Sequence, residues 1–255
     1  MAINPLLMTS GIGMILIGIV SIAYWKRRTG VKWKVFLFGM LIWAVAITAK
    51  SVMDITVTVP LQEAMLAYGG ITGILAGMGL YVGIRTGLLE SGLSYIGVKK
   101  SSLKMGFDDA MAFGIGFGAI ECIIIGAGSF ANILIFILMP ETLATFPLDV
   151  RQVIIEQLSM STLFVVPAIA ERVFTVLIHA FTSVLAIYAL NSGKPGYLWY
   201  SVGFKALVDG MIPAMVFFMK PGTSILGAFV IEVPIMVLAI VSFYGIKYAR
   251  RMKWK

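Results

Sequence analysis

The chain has 255 residues, of which 60% are hydrophobic and 13% are charged, and its mean hydropathy is +0.98. This composition excludes a soluble globular domain, which needs more polar surface. The formal net charge of +8 does not indicate a nucleic-acid-binding protein, because the basic residues cluster beside apolar stretches. Basic residues in that position act as topology signals and contact anionic lipid headgroups, so we expect membrane lipids among the partners.

Repeated apolar runs of about 20 residues match the ~30 Å hydrocarbon layer of a bilayer. They predict an all-α fold, a polytopic transmembrane helix bundle that forms one membrane-embedded domain over residues 1–255. In chain order, the seven predicted spans lie near residues 5–24, 35–53, 64–87, 110–138, 162–190, 198–218 and 225–246. Between spans four and five, apolar and polar residues alternate over 148–158, which predicts an amphipathic helix on the outer surface.

Basic residues fall mainly on one side of the predicted membrane. The first span has none before it and several just after it, which predicts an N-terminus outside and a C-terminus in the cytoplasm, in the cell membrane. The residues placed in the cytoplasm are Lys26, Arg27, Arg28, Lys32, Lys34, Lys99, Lys100, Lys104, Lys194, Lys247, Arg250, Arg251, Lys253 and Lys255; those placed outside are chiefly Arg151 and Lys220.

Glycines recur at every fourth position in two of the spans. Gly69, Gly73 and Gly77 follow this spacing in span three, and Gly114 and Gly118 follow it in span four. Small residues at this spacing let helix backbones approach closely in lipid. Spans three and four are therefore predicted to be close-packed helices.

Ionisable side chains within the spans are the strongest functional signal. A charge at membrane depth costs about 2.5–3.5 kcal/mol or more, so it usually has a partner or a function. The residues are Glu121, Glu171, Arg172, Lys205, Asp209, Glu232 and the single histidine, His179. At 1.5 Å per residue, three of the carboxylates, on spans four, five and six, lie near the middle of the membrane.

Two interpretations of this layer are open. In the first, the charges form a structural network that contains the pairs Lys205–Asp209 and Arg172–Glu121 together with Glu232. In the second, His179 joins Glu121 and Asp209 in a metal site with nitrogen and oxygen ligands, although a single histidine is unfavourable for tight zinc binding. Lys50 and Asp54, four residues apart at the end of span two, are interpreted as a pair at the membrane rim.

Four segments in order resemble a known family. They are Glu90-Ser91-Gly92, Phe113–Glu121, Glu171 through Leu185, and Lys205 through Asp209. Together they resemble the YhfC family of predicted glutamic-type intramembrane metalloproteases, in the superfamily of the CAAX-protease, Abi and PrsW proteins. The resemblance implies a membrane-embedded peptidase in which a glutamate activates water beside a bound metal, zinc or another divalent ion.

Carried over to this chain, the resemblance implies catalytic roles for Glu121, Glu171 and Arg172, with Glu121 or Glu171 as the general base. It implies metal binding by His179, Asp209 and Glu121. Three positions depart from the pattern, because Leu93, Phe117 and Lys205 stand where basic or metal-binding side chains are expected. An ammonium at Lys205 would also supply the positive charge that a metal provides.

The departures lead us to expect a catalytically degenerate homologue that acts as a scaffold or partner-binding subunit for a membrane protein or peptide. An active intramembrane metallopeptidase is the first alternative. A proton- or cation-coupled transporter is the second, although no inverted repeat is found in the sequence. A retinal protein is excluded, because span seven has no lysine for a Schiff base.

Overall fold

The computed structural model describes residues 3–219 and 224–254 and contains no strand among them, so the all-α prediction is confirmed. Lys220 and Lys255, which the orientation argument used, lie outside the described residues. The α-helices are α1 (Met8–Thr29), α2 (Trp33–Met53), α3 (Val59–Gly73), α4 (Gly79–Thr86), α5 (Gly92–Lys100), α6 (Phe107–Leu138), α7 (Leu148–Leu158), α8 (Val165–Ser192), α9 (Gly196–Gly210), α10 (Ile212–Met219), α11 (Ile225–Val230) and α12 (Glu232–Ala249).

Within the described residues, six helical segments are long and apolar enough to cross a membrane. They are Pro5–Thr29, Trp33–Lys100, Phe107–Leu138, Thr162–Ser192, Gly196–Met219 and Ile225–Ala249. This is the polytopic helical bundle that the apolar runs predict. The orientation in the membrane and the count of seven spans stay predictions.

The segment Trp33–Lys100 is a helical hairpin that reverses at Gly70. This glycine has φ +57° and ψ −150°, a conformation that other residues adopt only under strain. Contacts across the hairpin pair residues on either side of it: Lys50 with Glu90, Asp54 with Arg85, and Thr58 with Tyr81. Each arm exceeds the ~20 residues that a membrane crossing needs.

The reversal lies inside 64–87, a stretch predicted as a single span. Hydropathy does not detect it, because the residues on both sides of Gly70 are apolar and no polar loop separates them. The hairpin also contains π-type turns at Asp54–Thr58, Ile74–Met78 and Gly87–Ser91. Such turns rotate the helix faces that follow them, and they recur at functional sites.

Helix α6 lies at the centre of the bundle and packs against α1, α2 and α8. Gly114 and Gly118 on α6 face α8, as predicted for a close-packed pair. A methyl group at Gly114 would lie 2.8 Å from the carbonyl oxygen of His179, and one at Gly118 would lie 3.2 Å from the His179 Cβ. This close approach places the first half of α6 directly beside His179.

A different set of glycines in the hairpin makes the second close contact. No atom elsewhere in residues 3–219 or 224–254 lies within 4 Å of a methyl group built at Gly69, so the predicted set 69, 73 and 77 does not form one interface. Instead, methyl groups at Gly79, Gly83 and Gly87 would lie 2.4–2.6 Å from backbone oxygens of α9. The hairpin therefore packs tightly on α9, which brings Glu90 to Lys205. The amphipathic stretch 148–158 forms α7, as predicted.

Candidate functional site

The site begins with a buried carboxylate between two lysines. Glu90 lies in the π-type turn Gly87–Ser91 and is 4% exposed. Its Oε1 accepts a hydrogen bond from Lys50 Nζ on α2 at 2.6 Å, and its Oε2 accepts one from Lys205 Nζ on α9 at 2.6 Å. Charge-assisted bonds of this length are among the stronger ones in proteins, and here they join three helical segments.

His179 on α8 continues the chain of contacts. Lys205 Nζ lies 2.6 Å from His179 Nδ1, and His179 Nε2 lies 3.0 Å from Glu121 Oε2. An ammonium group can only donate, so Nδ1 accepts and Nε2 carries the proton that is donated to Glu121. The ring of Phe117 packs on the imidazole with centroids 4.9 Å apart and lies 5.5 Å from Lys205 Nζ.

Glu121 on α6 accepts hydrogen bonds from three side chains on two helices, α2 and α8. In addition to His179, Trp43 Nε1 on α2 donates to its Oε2 at 3.0 Å, and Arg172 Nη1 on α8 donates to its Oε1 at 3.1 Å. Arg172 also donates to Glu171, which precedes it on the same helix. The result is a continuous network from Lys50 through Glu90, Lys205, His179, Glu121 and Arg172 to Glu171.

A cavity of about 340 Å³ opens beside this network. Polar side chains in its wall include those of Lys50, Glu121, His179, Lys205 and Asp209. Glu121 remains 18% exposed despite its donors. The cavity can therefore admit water or a small polar group to the network at membrane depth.

Two of the predicted pairs are replaced by others in the structure. Within the described chain, Lys205 pairs with Glu90 and not with Asp209, which lies on the cavity wall. Lys50 likewise pairs with Glu90, while Asp54 accepts a hydrogen bond from Arg85. Both lysines thus bind the carboxylate of Glu90 on a facing helical segment, and Asp54 binds the guanidinium of Arg85, in place of the oppositely charged residue four positions away. The predicted contact between Arg172 and Glu121 is present.

Glu232 lies apart from the network. It begins α12 and is half-buried, and no ion pair joins it to the network in 3–219 and 224–254. Its Oε2 is buried without a hydrogen-bond partner among the same residues. Glu232 was predicted to belong to the charge network, but it makes no ion pair with a network residue in the described part of the chain.

The sequence-based interpretation missed several residues of the site. Trp43 carried no signal, because a tryptophan in an apolar span is ordinary. Lys50 was interpreted as a rim residue because the predicted span ends at residue 53, whereas the helical arm continues to Gly70. Glu90 entered only through the family resemblance, and Leu93 packs against the main apolar core.

The side chains present do not fit a metal ion. Phe117, His179 and Lys205, three of the positions to which the resemblance assigns basic or metal-binding groups, meet in space, but Phe117 offers no ligand atom and Lys205 is a cation. Lys205 engages the lone pair of His179 Nδ1, while Nε2 is bonded to Glu121. No group of three or more His, Cys, Asp or Glu residues that could hold a metal occurs in the described part of the chain.

The fold and the site define a multi-pass helical membrane protein with a buried ionic centre. A family model described as YhfC intramembrane metalloprotease matches residues 13–235, so the chain belongs to the YhfC family. No curated protein and no solved structure matches the chain.

Proposed function

We propose that this protein is a metal-free member of its family that serves as a partner-binding subunit in the cell membrane. The observation that carries the proposal is the position of Lys205, whose ammonium lies 2.6 Å from both His179 Nδ1 and Glu90 Oε2. A positive charge at this point occupies the place where a divalent cation would bind. It repels such a cation and withholds the lone pair that the cation needs.

The environment of Glu121 also supports a structural role. A general base must hold a free lone pair towards the water that it activates. Three donors, Trp43, Arg172 and His179, bind the two oxygens of Glu121 and occupy three of the roughly four acceptor positions of a carboxylate. Such a carboxylate acts as an anchor for its donors, and it links α2, α6 and α8.

A network that locks several helices together suits a subunit with a fixed surface. Buried ionic groups are retained in some proteins because they specify one arrangement of helices, although they add little net stability. In this protein the network connects the hairpin, α6, α8 and α9. A partner helix or peptide would then meet a rigid face of the bundle.

The proposal is tested by comparing membrane proteomes of cells that carry the wild-type chain, the Glu121→Gln variant or no copy. We expect the same set of protein termini in all three kinds of cell, because a subunit without peptidase activity produces no cleavage products. We also expect a membrane protein that co-purifies in stoichiometric amounts with the wild type.

Glu121→Gln keeps the shape of the side chain and removes the charge that pairs with Arg172, so we expect weaker assembly with that partner. Glu141→Gln, in an exposed connecting segment, is the matched control. A substrate whose cleavage needs the wild-type chain and stops in Glu121→Gln would overturn the proposal.

One observation favours an active peptidase as the second candidate function. Glu121 and Asp209 both line the 340 Å³ cavity, so a carboxylate pair faces a space that can hold water. In that case Glu121 would take a proton from water, and the same proteome comparison would reveal the substrate. The transporter alternative stays a prediction, for which the contacts offer no specific support.

A further inference from the structure

A second cavity, lined by none of the residues of the ionic network, lies between α1, α6, α8 and α12. It has a volume of about 460 Å³, and its wall is almost wholly apolar. Met111 and Ile115 of α6 and Val176 and Leu177 of α8 form part of the wall. It runs between helices at one end of the bundle, so we call it the basic-end groove.

Three basic side chains stand at the mouth of the basic-end groove. Arg28 belongs to the last turn of α1, and Lys247 and Arg250 belong to the end of α12. All three are exposed, and no acidic side chain among the described residues lines the groove. The guanidinium of Arg28 donates to the hydroxyl of Tyr24 at 2.5 Å, and Lys247 Nζ lies 4.3 Å from the ring centroid of Phe243.

The depth of the groove matches one leaflet of a bilayer. Along α1, the lining runs from Arg28 to Ser21, about 10 Å at the helical rise. Along α6, it runs from Phe107 to Ile115, about 12 Å. Half of the hydrocarbon core is about 15 Å thick, so a chain that enters the groove stays within one leaflet.

We propose that the basic-end groove binds one anionic glycerophospholipid, with its phosphate between Arg28, Lys247 and Arg250 and an acyl chain along the apolar wall. The occupant follows from complementarity of both charge and polarity. Basic pockets between transmembrane helices bind anionic lipid head groups, and here the apolar wall continues directly from the basic mouth. An apolar partner helix would fit the wall but would leave the three cations at the mouth without counter-charges.

The test measures lipid retention by native mass spectrometry of the purified full-length protein in detergent. The probes are phosphatidylglycerol and phosphatidylcholine with identical acyl chains. The wild type should retain phosphatidylglycerol in preference to phosphatidylcholine. The variant Arg28→Gln/Lys247→Gln/Arg250→Gln should bind phosphatidylglycerol about a hundredfold more weakly, since each of the three basic residues near a membrane surface contributes about fivefold.

The variant Lys99→Gln/Lys100→Gln/Lys104→Gln removes the same charge elsewhere and should bind as the wild type does. If the first triple variant is unstable, Arg28→Gln/Arg250→Gln should show a smaller loss. Inorganic phosphate added in excess should not displace the lipid, because it lacks the acyl chain. Equal retention of both lipids, equal binding by the groove variants and the wild type, or displacement by phosphate alone would overturn the proposal.

Discussion

His179 is bonded through both nitrogens of its ring. Lys205 approaches Nδ1, Glu121 approaches Nε2, and Phe117 covers one face. A histidine held in this way has its tautomer set by its neighbours and has no nitrogen left for a metal. The pairing between Lys205 and Glu90 is what keeps this arrangement in place.

Replacing Lys205 by methionine should therefore destabilise the fold strongly. The substitution leaves Glu90 with Lys50 as its remaining cation and leaves His179 Nδ1 without its donor, so we expect the free energy of unfolding to fall by about 3–5 kcal/mol. Unfolding in detergent micelles measures the loss. Glu90→Gln combined with Lys205→Met should recover part of it, whereas the exposed Lys194→Met should have no effect. Additive losses in the double variant would contradict the pairing.

Trp43 contributes to the site through a single hydrogen bond. Trp43→Phe keeps most of the apolar contact and removes the Nε1–H that donates to Glu121 at 3.0 Å. A hydrogen bond to a charged group contributes about 1.5–3 kcal/mol, so thermal unfolding should occur at a lower temperature. Trp199→Phe is the control, because Trp199 is 63% exposed. Equal effects of the two substitutions would show that the bond to Glu121 has no energetic role.

At the scale of elements, the hairpin Trp33–Lys100 brings Lys50 and Glu90 together across forty residues of sequence. The chain reverses through the backbone conformation of Gly70, with φ +57° and ψ −150°. A methyl group built at Gly70 would meet no described neighbour within 4 Å, so steric contact does not oppose a larger residue there. The cost of a substitution at Gly70 would therefore come from its dihedral angles alone.

Gly70→Ala should lower the free energy of unfolding by about 1–3 kcal/mol, because alanine is strained at φ +57° and ψ −150°. Gly69→Ala is a close control, since the neighbouring glycine also has open space around it and has no positive φ. It should leave stability unchanged or raise it, as alanine favours helix over glycine. The same unfolding measurement compares them. A loss of equal size at Gly69 would show that the reversal does not depend on the conformation of Gly70.

The sequence predicts the helices well because an apolar run that crosses a membrane must satisfy its backbone hydrogen bonds internally, which a helix does. The contact between Arg172 and Glu121 follows in the same way from their depths. The partners of Lys205 and Lys50 do not follow, because Glu90 reaches them only after the chain reverses at Gly70 and passes through a π-type turn. Neither feature leaves a periodic pattern, and the hairpin turn lies in an uninterrupted apolar stretch.

At the scale of the whole molecule, we propose that the bundle keeps the helix arrangement of its family and replaces the metal of the centre with other chemistry. The close contacts of Gly114 and Gly118 with α8, and of Gly79, Gly83 and Gly87 with α9, bring the relevant helices together. The side chains that meet are then an aromatic ring, a histidine, a carboxylate and an ammonium. We therefore expect the family fold to have kept its geometry while the cation of the centre became Lys205.

The most direct measurement is the zinc content of the purified protein after incubation with zinc and removal of the excess. We predict no stoichiometric zinc in the wild type or in Lys205→Gln, which removes the ammonium without adding a ligand. Phe117→His/Lys205→His adds two imidazoles beside His179 and should bind zinc stoichiometrically; Lys205→His alone is the milder variant if the double one is unstable. Stoichiometric zinc in the wild type that disappears in His179→Ala would contradict the account.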